Sequence, residues 1–132
     1  MRAWLLAMAL ACTGAAAQPK DCPKPLDVTP TQLFGLWRAE FDGKLPGATL
    51  LLEKHPRYED SFSGGVNRSG TQSVLSGEIE DGEFSLEESA DGQHIAATWI
   101  GEIVEGSCGR EIRGTWQKDG ATQAVPFVMR KQ

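Results

Sequence analysis

From Leu33 to the end of the chain, apolar and polar residues alternate with a period of two, and the alternation is interrupted about every 10 to 15 residues by a turn signal. That period is the signature of a strand with one face buried and one face wet. The interruptions are Asp42-Gly43, Asn67 to Gly70, Asp81-Gly82, Asp91-Gly92, Glu105 to Gly109 and Asp119-Gly120, with His55 to Glu59 around Pro56 as a further corner. Asp-Gly between alternating segments marks a tight hairpin, because the two central residues of such a turn need positive φ. Eight strands are predicted, over residues 33–41, 48–55, 60–67, 71–79, 83–88, 93–104, 109–117 and 121–130. No segment carries a helical repeat long enough to compete. Thr29-Pro30-Thr31-Gln32 suits a single helical turn, with Thr29 as N-cap and Pro30 in the first helical position.

Eight short strands joined in sequence form an antiparallel up-and-down meander, and closing it into a barrel removes the exposed sheet edges. The predicted class is therefore all-β, an eight-stranded barrel, with a two-sheet β-sandwich as the alternative. The parity of the pattern assigns an inward set that includes Gly35, Trp37, Phe41, Ile95, Trp99, Gly101, Gly114 and Trp116. Three inward tryptophans sit two residues from three inward glycines. A narrow barrel accepts a large side chain only beside a small one, and glycines let strands bend enough to close.

The segment before the strands changes the picture of compartment. Residues 1–17 combine Arg2, an apolar run from Ala3 to Ala11 and the ending Ala15-Ala16-Ala17, which reads as a secretory signal too short to span a bilayer. Residues 18–32 then form an N-terminal arm and residues 33–132 the barrel domain. The competing route, a lipid anchor on Cys12, has Ala9-Leu10-Ala11 where a leucine-led box is usual. Export to the periplasm or beyond follows. Cleavage leaves Cys22 and Cys108, an even pair in an exported chain, so a disulfide is expected to tie the arm to the barrel. The net charge of −5, with no basic run, argues against nucleic acid and anionic membrane surfaces as partners.

Hairpin counting places the Cys108 turn at the end where the arm enters, so the bridge would plug that end. The long Asp42 to Gly47 turn lies at the other end, where a mouth for a small apolar ligand would be lined by Phe41, Ile95 and Trp116. On the outside, Phe34, Leu36, Leu51 and Val128 fall on strands 8, 1 and 2, which closure makes adjacent. This is either where the arm folds back or a surface for a partner or a second copy. Pro126 removes a ladder donor from the last strand, which marks that seam as the place for an imperfection.

Gly35-Leu36-Trp37, opening the first strand after a short turn, resembles the G-x-W opening of lipocalins, and Arg130 falls where a basic residue would cover that tryptophan from below. The layout is also similar to avidins, eight-stranded barrels with several inward tryptophans. The resemblance implies a ligand-holding or protein-binding barrel of the calycin kind. The chain departs from lipocalins in lacking a helix before the last strand, and from avidins in lacking an alignable polar cluster.

Catalytic patterns are weak. No G-x-S-x-G turn occurs, and His55 and His94 stand apart from other ligating residues. The acidic run from Glu78 to Glu83, with Glu87, Glu88 and Asp91, suggests calcium, but Ile79 and Phe84 take the inward positions and the carboxylates are expected to project into water. No metal and no cofactor is expected. The reading is an exported, non-enzymatic binding module for a small apolar ligand or a protein partner. Two alternatives stand beside it. The first is an inhibitor of an exported protease, since the small barrels that inhibit bacterial metalloproteases also open with Gly-x-Trp after an arm; the second is a structural subunit of an envelope assembly.

Overall fold

The computed structural model describes residues 22–132; the signal segment 1–17, Cys12 and the start of the arm lie outside the described residues. Eight antiparallel strands close into one barrel in chain order, each pairing with its sequence neighbour and the last with the first. They are β1 (Gly35–Phe41), β2 (Ala48–Lys54), β3 (Ser61–Arg68), β4 (Thr71–Glu80), β5 (Glu83–Ser89), β6 (Ala97–Ile103), β7 (Glu111–Lys118) and β8 (Val125–Lys131). The sandwich alternative is thereby excluded.

The turns follow from their residues. Asp81 and Gly82 both adopt positive φ, 50° and 80°, between the paired Glu80 and Glu83, which is the two-residue hairpin their chemistry favours. The predicted turn before β1 is a short helix, α1 (Pro30–Leu33), in which the Gln32 side chain accepts the Thr29 N–H at 2.9 Å. Leu33, expected to begin the first strand, instead ends this helix and is fully buried. Its carbonyl accepts the Trp37 indole N–H at 2.8 Å, so the helix and the first core tryptophan fix one another.

The arm seals the lower end, defined here as the end where it enters. Cys22 is bonded to Cys108, with Cα atoms 4.8 Å apart and a sequence separation of 86. Val28 is buried, and a Cβ on Gly109 would lie 3.2 Å from it, so the arm lies directly on the Cys108 turn. Pro25 reaches the β4–β5 hairpin at Gly82. The disulfide fits an oxidising compartment, and no helix among the described residues is long and apolar enough to cross a membrane.

The interior is filled by Trp37, Trp99, Phe62, Phe84, Leu50, Leu52, Leu86, Ile112 and Met129, all essentially without solvent contact. The glycines are there for close approach. Gly101 and Gly114 are register partners beside the paired Trp99 and Trp116; a Cβ on Gly114 would run into the Ile100 carbonyl and Gly101 Cα, and one on Gly101 would crowd the Phe127 ring at 3.2 Å. The seam at Pro126 is closed: β1 and β8 share five registered pairs, and the Pro126 carbonyl accepts the Asp42 N–H at 3.0 Å.

One position differs from the sequence reading by a change of face. Arg130 points outward and donates to Glu111 Oε1 at 2.8 Å, while Lys131, the register partner of Trp37, is the basic residue at its foot and donates to the Gln32 carbonyl at 2.8 Å. The reason is parity, since Met129 is inward and its neighbour is not.

Candidate functional site: the upper mouth

The upper end is closed by side chains alone. Two cross-strand aromatic pairs converge there, Trp99 with Trp116 across β6 and β7, and Phe41 with Phe127 across β8 and β1. Their rings pack together, with centroids 5.4 Å apart for Phe41 and Trp99, 6.0 Å for Phe41 and Trp116, and 5.0 Å for Trp99 and Phe127. Phe41 and Trp116, expected at the mouth, are therefore together.

Ile95 is not with them. Its side chain is 45 % exposed on the connection between β5 and β6. The predicted strand over 93–104 begins only at Ala97, because Asp91 Oδ1 accepts the N–H groups of Gln93 and His94, both at 2.8 Å, and draws that backbone out of the ladder.

The centre of the mouth is charged. Glu88 on β5 is 4 % exposed and is the buried polar residue among the described residues. The expectation that it projects into water is overturned: Phe84, Leu86 and Glu88 share the inward parity, and the alternation continues through the charge. Arg68, at the end of β3 two residues beyond Val66, reaches it with NH1 to Oε1 at 3.0 Å and NH2 to Oε2 at 3.4 Å. Trp99 and Trp116 both donate their indole N–H to Oε2, at 3.0 and 3.1 Å. The guanidinium lies 5.0 Å from the Trp116 ring centroid and 5.6 Å from that of Phe41, within cation–π range of both. Arg68 Nε is buried without a partner.

Burial pushes the Glu88 carboxyl up, but the hydrogen bond from Arg68, the one from Trp116, the Arg68 charge and the bond from Trp99 together outweigh it. The carboxyl is held below its ordinary range. Glu88 is thus an anion at neutral pH, with three donors on Oε2 and one on Oε1. Its counter-charge is the Arg68 guanidinium.

The outer residues are less unified than the sequence implied. Leu36 and Leu51 are register partners on the outer wall, 51 % and 39 % exposed. Phe34 is half-buried and packs on the core, and Val128 is half-buried opposite Glu40 and Arg113, away from the leucine pair. The arm does not cover the leucines: Leu26 is 70 % exposed and Val28 is turned to the lower plug. A concavity of about 410 Å³ lies on the outer wall around Ile100, rimmed by Glu78, Glu80, Glu83 and Glu102.

No family model matches the chain, and comparison with curated proteins finds no significant relative.

Proposed function

We propose that this protein is an exported binding module, without chemistry of its own, that holds a protein partner at its upper end. One observation carries the reading: an otherwise apolar barrel buries an ion pair at its upper end. Replacing a buried pair by well-packed apolar groups is commonly neutral or stabilising, so stability alone does not call for one. Recognition of a charged group does.

The filled interior argues against the small apolar ligand, because the space such a ligand would need is taken by the core rings and by Arg68. The lipocalin and avidin layout supports binding as the general role, through a G-x-W strand and inward tryptophans. The protease-inhibitor alternative draws little from the described part of the arm, which is tied to the barrel by the disulfide at Cys22 and anchored by the buried Val28 and Leu33. An envelope-assembly role would use the Leu36–Leu51 pair, two exposed side chains where a stable interface engages about 20 to 30 residues a side.

The test is capture of exported proteins of the same cell by the wild type, by Ile95→Asp at the upper rim and by Leu36→Asp on the wall. A protein retained by the wild type and the wall variant but lost by the rim variant supports the reading. Loss on the wall variant alone overturns it. Titration with a micromolar apolar dye, followed by tryptophan emission, is expected to give a flat response; saturable quenching would restore the apolar-ligand reading.

A further inference from the structure

The mouth can be divided into a receptor and an occupant. The receptor is Glu88 and four rings. Its carboxylate is oriented by two indole N–H groups that do not belong to the cation, since Trp99 and Trp116 hold Oε2 from β6 and β7. Phe41 and Phe127 complete the wall from β1 and β8. An anion with aromatic faces around it is what a delocalised organic cation requires: charge-assisted hydrogen bonds in its plane and ring faces above it.

The occupant is Arg68, which arrives from the far side of the barrel. It stands at the last position of β3, next to the Ser69–Gly70 hairpin, and its side-chain hydrogen bonds all go to Glu88. Its fit is incomplete, because Nε is buried and unpaired. A residue at a hairpin tip can withdraw into water without disturbing the barrel wall.

We propose that the upper mouth is a guanidinium-binding site whose resting occupant is Arg68, and that an arginine side chain of the partner enters by displacing it. The inference rests on the binding-module reading above. Exchange of one guanidinium for another at the same carboxylate is close to balanced, so the internal arginine lowers the apparent affinity by the fraction of time the site is closed. Arg68 is then a built-in threshold: only a guanidinium presented at high local concentration, as on a docked protein, competes well.

The test uses indole N–H resonances of the wild-type protein. Ethylguanidinium and a short arginine-bearing cyclic peptide are added separately, with lysine-bearing peptide and sodium chloride at matched ionic strength as controls. Displacement is expected to move the Trp99 and Trp116 indole signals while that of Trp37, bonded to the Leu33 carbonyl, stays fixed. In Arg68→Ala the same shifts are expected at a concentration at least tenfold lower, and in Arg68→Ala/Glu88→Gln they should vanish. Should Arg68→Ala not fold, Arg68→Gln serves in its place, and the wild-type titration stands by itself.

A response to both ligands shows that the group alone suffices; a response to the peptide alone assigns the site to a macromolecular partner. Trp99 and Trp116 signals that remain fixed in the wild type and in the folded Arg68 variant overturn the proposal. Partner capture that survives Glu88→Gln would overturn the cation site while leaving the binding-module reading in place. Loss of capture only on the wall variant would remove that reading instead.

Discussion

Trp99 and Trp116 face one another across β6 and β7 and direct both indole N–H groups at the same oxygen of Glu88, at 3.0 and 3.1 Å. Two donors on one acceptor fix the carboxylate even before Arg68 is counted. The cost of burying the charge is spread over three partners from three other strands, which makes the cluster a tie across the barrel as well as the candidate site.

Removing one member of that tie should be far worse than removing the pair. Arg68→Leu leaves the Glu88 carboxylate, fixed on the inner face of β5, buried without a counter-charge and is expected to destabilise the fold by about 3 kcal/mol. Arg68→Leu/Glu88→Leu should recover most of that loss. Urea denaturation of the single and double variants reads both, and equal losses would show that the ion pair is not the unit.

Acid should erase the contribution of the cluster. The Glu88 carboxyl is held below its unfolded value in the folded state, so its stabilisation is complete above the unfolded value, about 4.3, and declines as pH falls through the lower, folded one. The difference in unfolding free energy between wild type and Glu88→Gln is therefore expected to be level from neutral pH to about 5 and to shrink below about 4. A gap that widened on acidification would contradict the assignment of the charge.

The bridge to the arm is expected to act mainly on the unfolded chain. For a separation of 86 residues the chain-entropy relation gives about 4.5 kcal/mol. Cys22→Ala/Cys108→Ala should lose on the order of 3 to 5 kcal/mol while near-ultraviolet dichroism of the folded form changes little. A barrel that lost its tertiary dichroism would instead show that the plug organises the core.

Glycines separate into two groups by what surrounds them. Gly114→Ala drives a methyl group into the Ile100 carbonyl and Gly101 Cα on the neighbouring strand, and should cost more than about 3 kcal/mol or prevent closure. Gly120→Ala has open space around it and positive φ of 76°, so its cost is limited to about 1 to 2 kcal/mol of backbone strain. Thermal melts of the two should rank in that order.

The Leu36–Leu51 pair is flanked by charged neighbours, Arg38 and Glu40 among them, which form their own ion pair at 3.0 Å. The protein is expected to scatter as a monomer across a wide concentration series. A dimer abolished by Leu36→Glu would assign this wall to self-association.

Much of the barrel is legible in the chain because two independent signals agree. Alternation places the strands and Asp-Gly places the hairpins, as at Glu80 and Glu83, where both give the same pairing. The site is legible only in its apolar half. Phe41 and Trp116 follow from parity, and one more step of the same rule, from Val66 to Arg68 and from Leu86 to Glu88, reaches the ion pair. That step conflicts with the tendency of isolated charges to face water, and only the third dimension brings the two strands' charges together to resolve it. Ile95 fails for a different reason, since a side chain of Asp91 captures backbone that the apolar pattern assigns to a strand.

Both ends of the described chain lie at the plugged pole: Cys22 is bonded beneath the barrel, and Gln132 N–H donates to the Leu36 carbonyl where β1 begins. Anything joined upstream of the bridge or after β8 would hold the molecule by its foot. The four rings and their carboxylate would then face away from the support, free to meet whatever approaches.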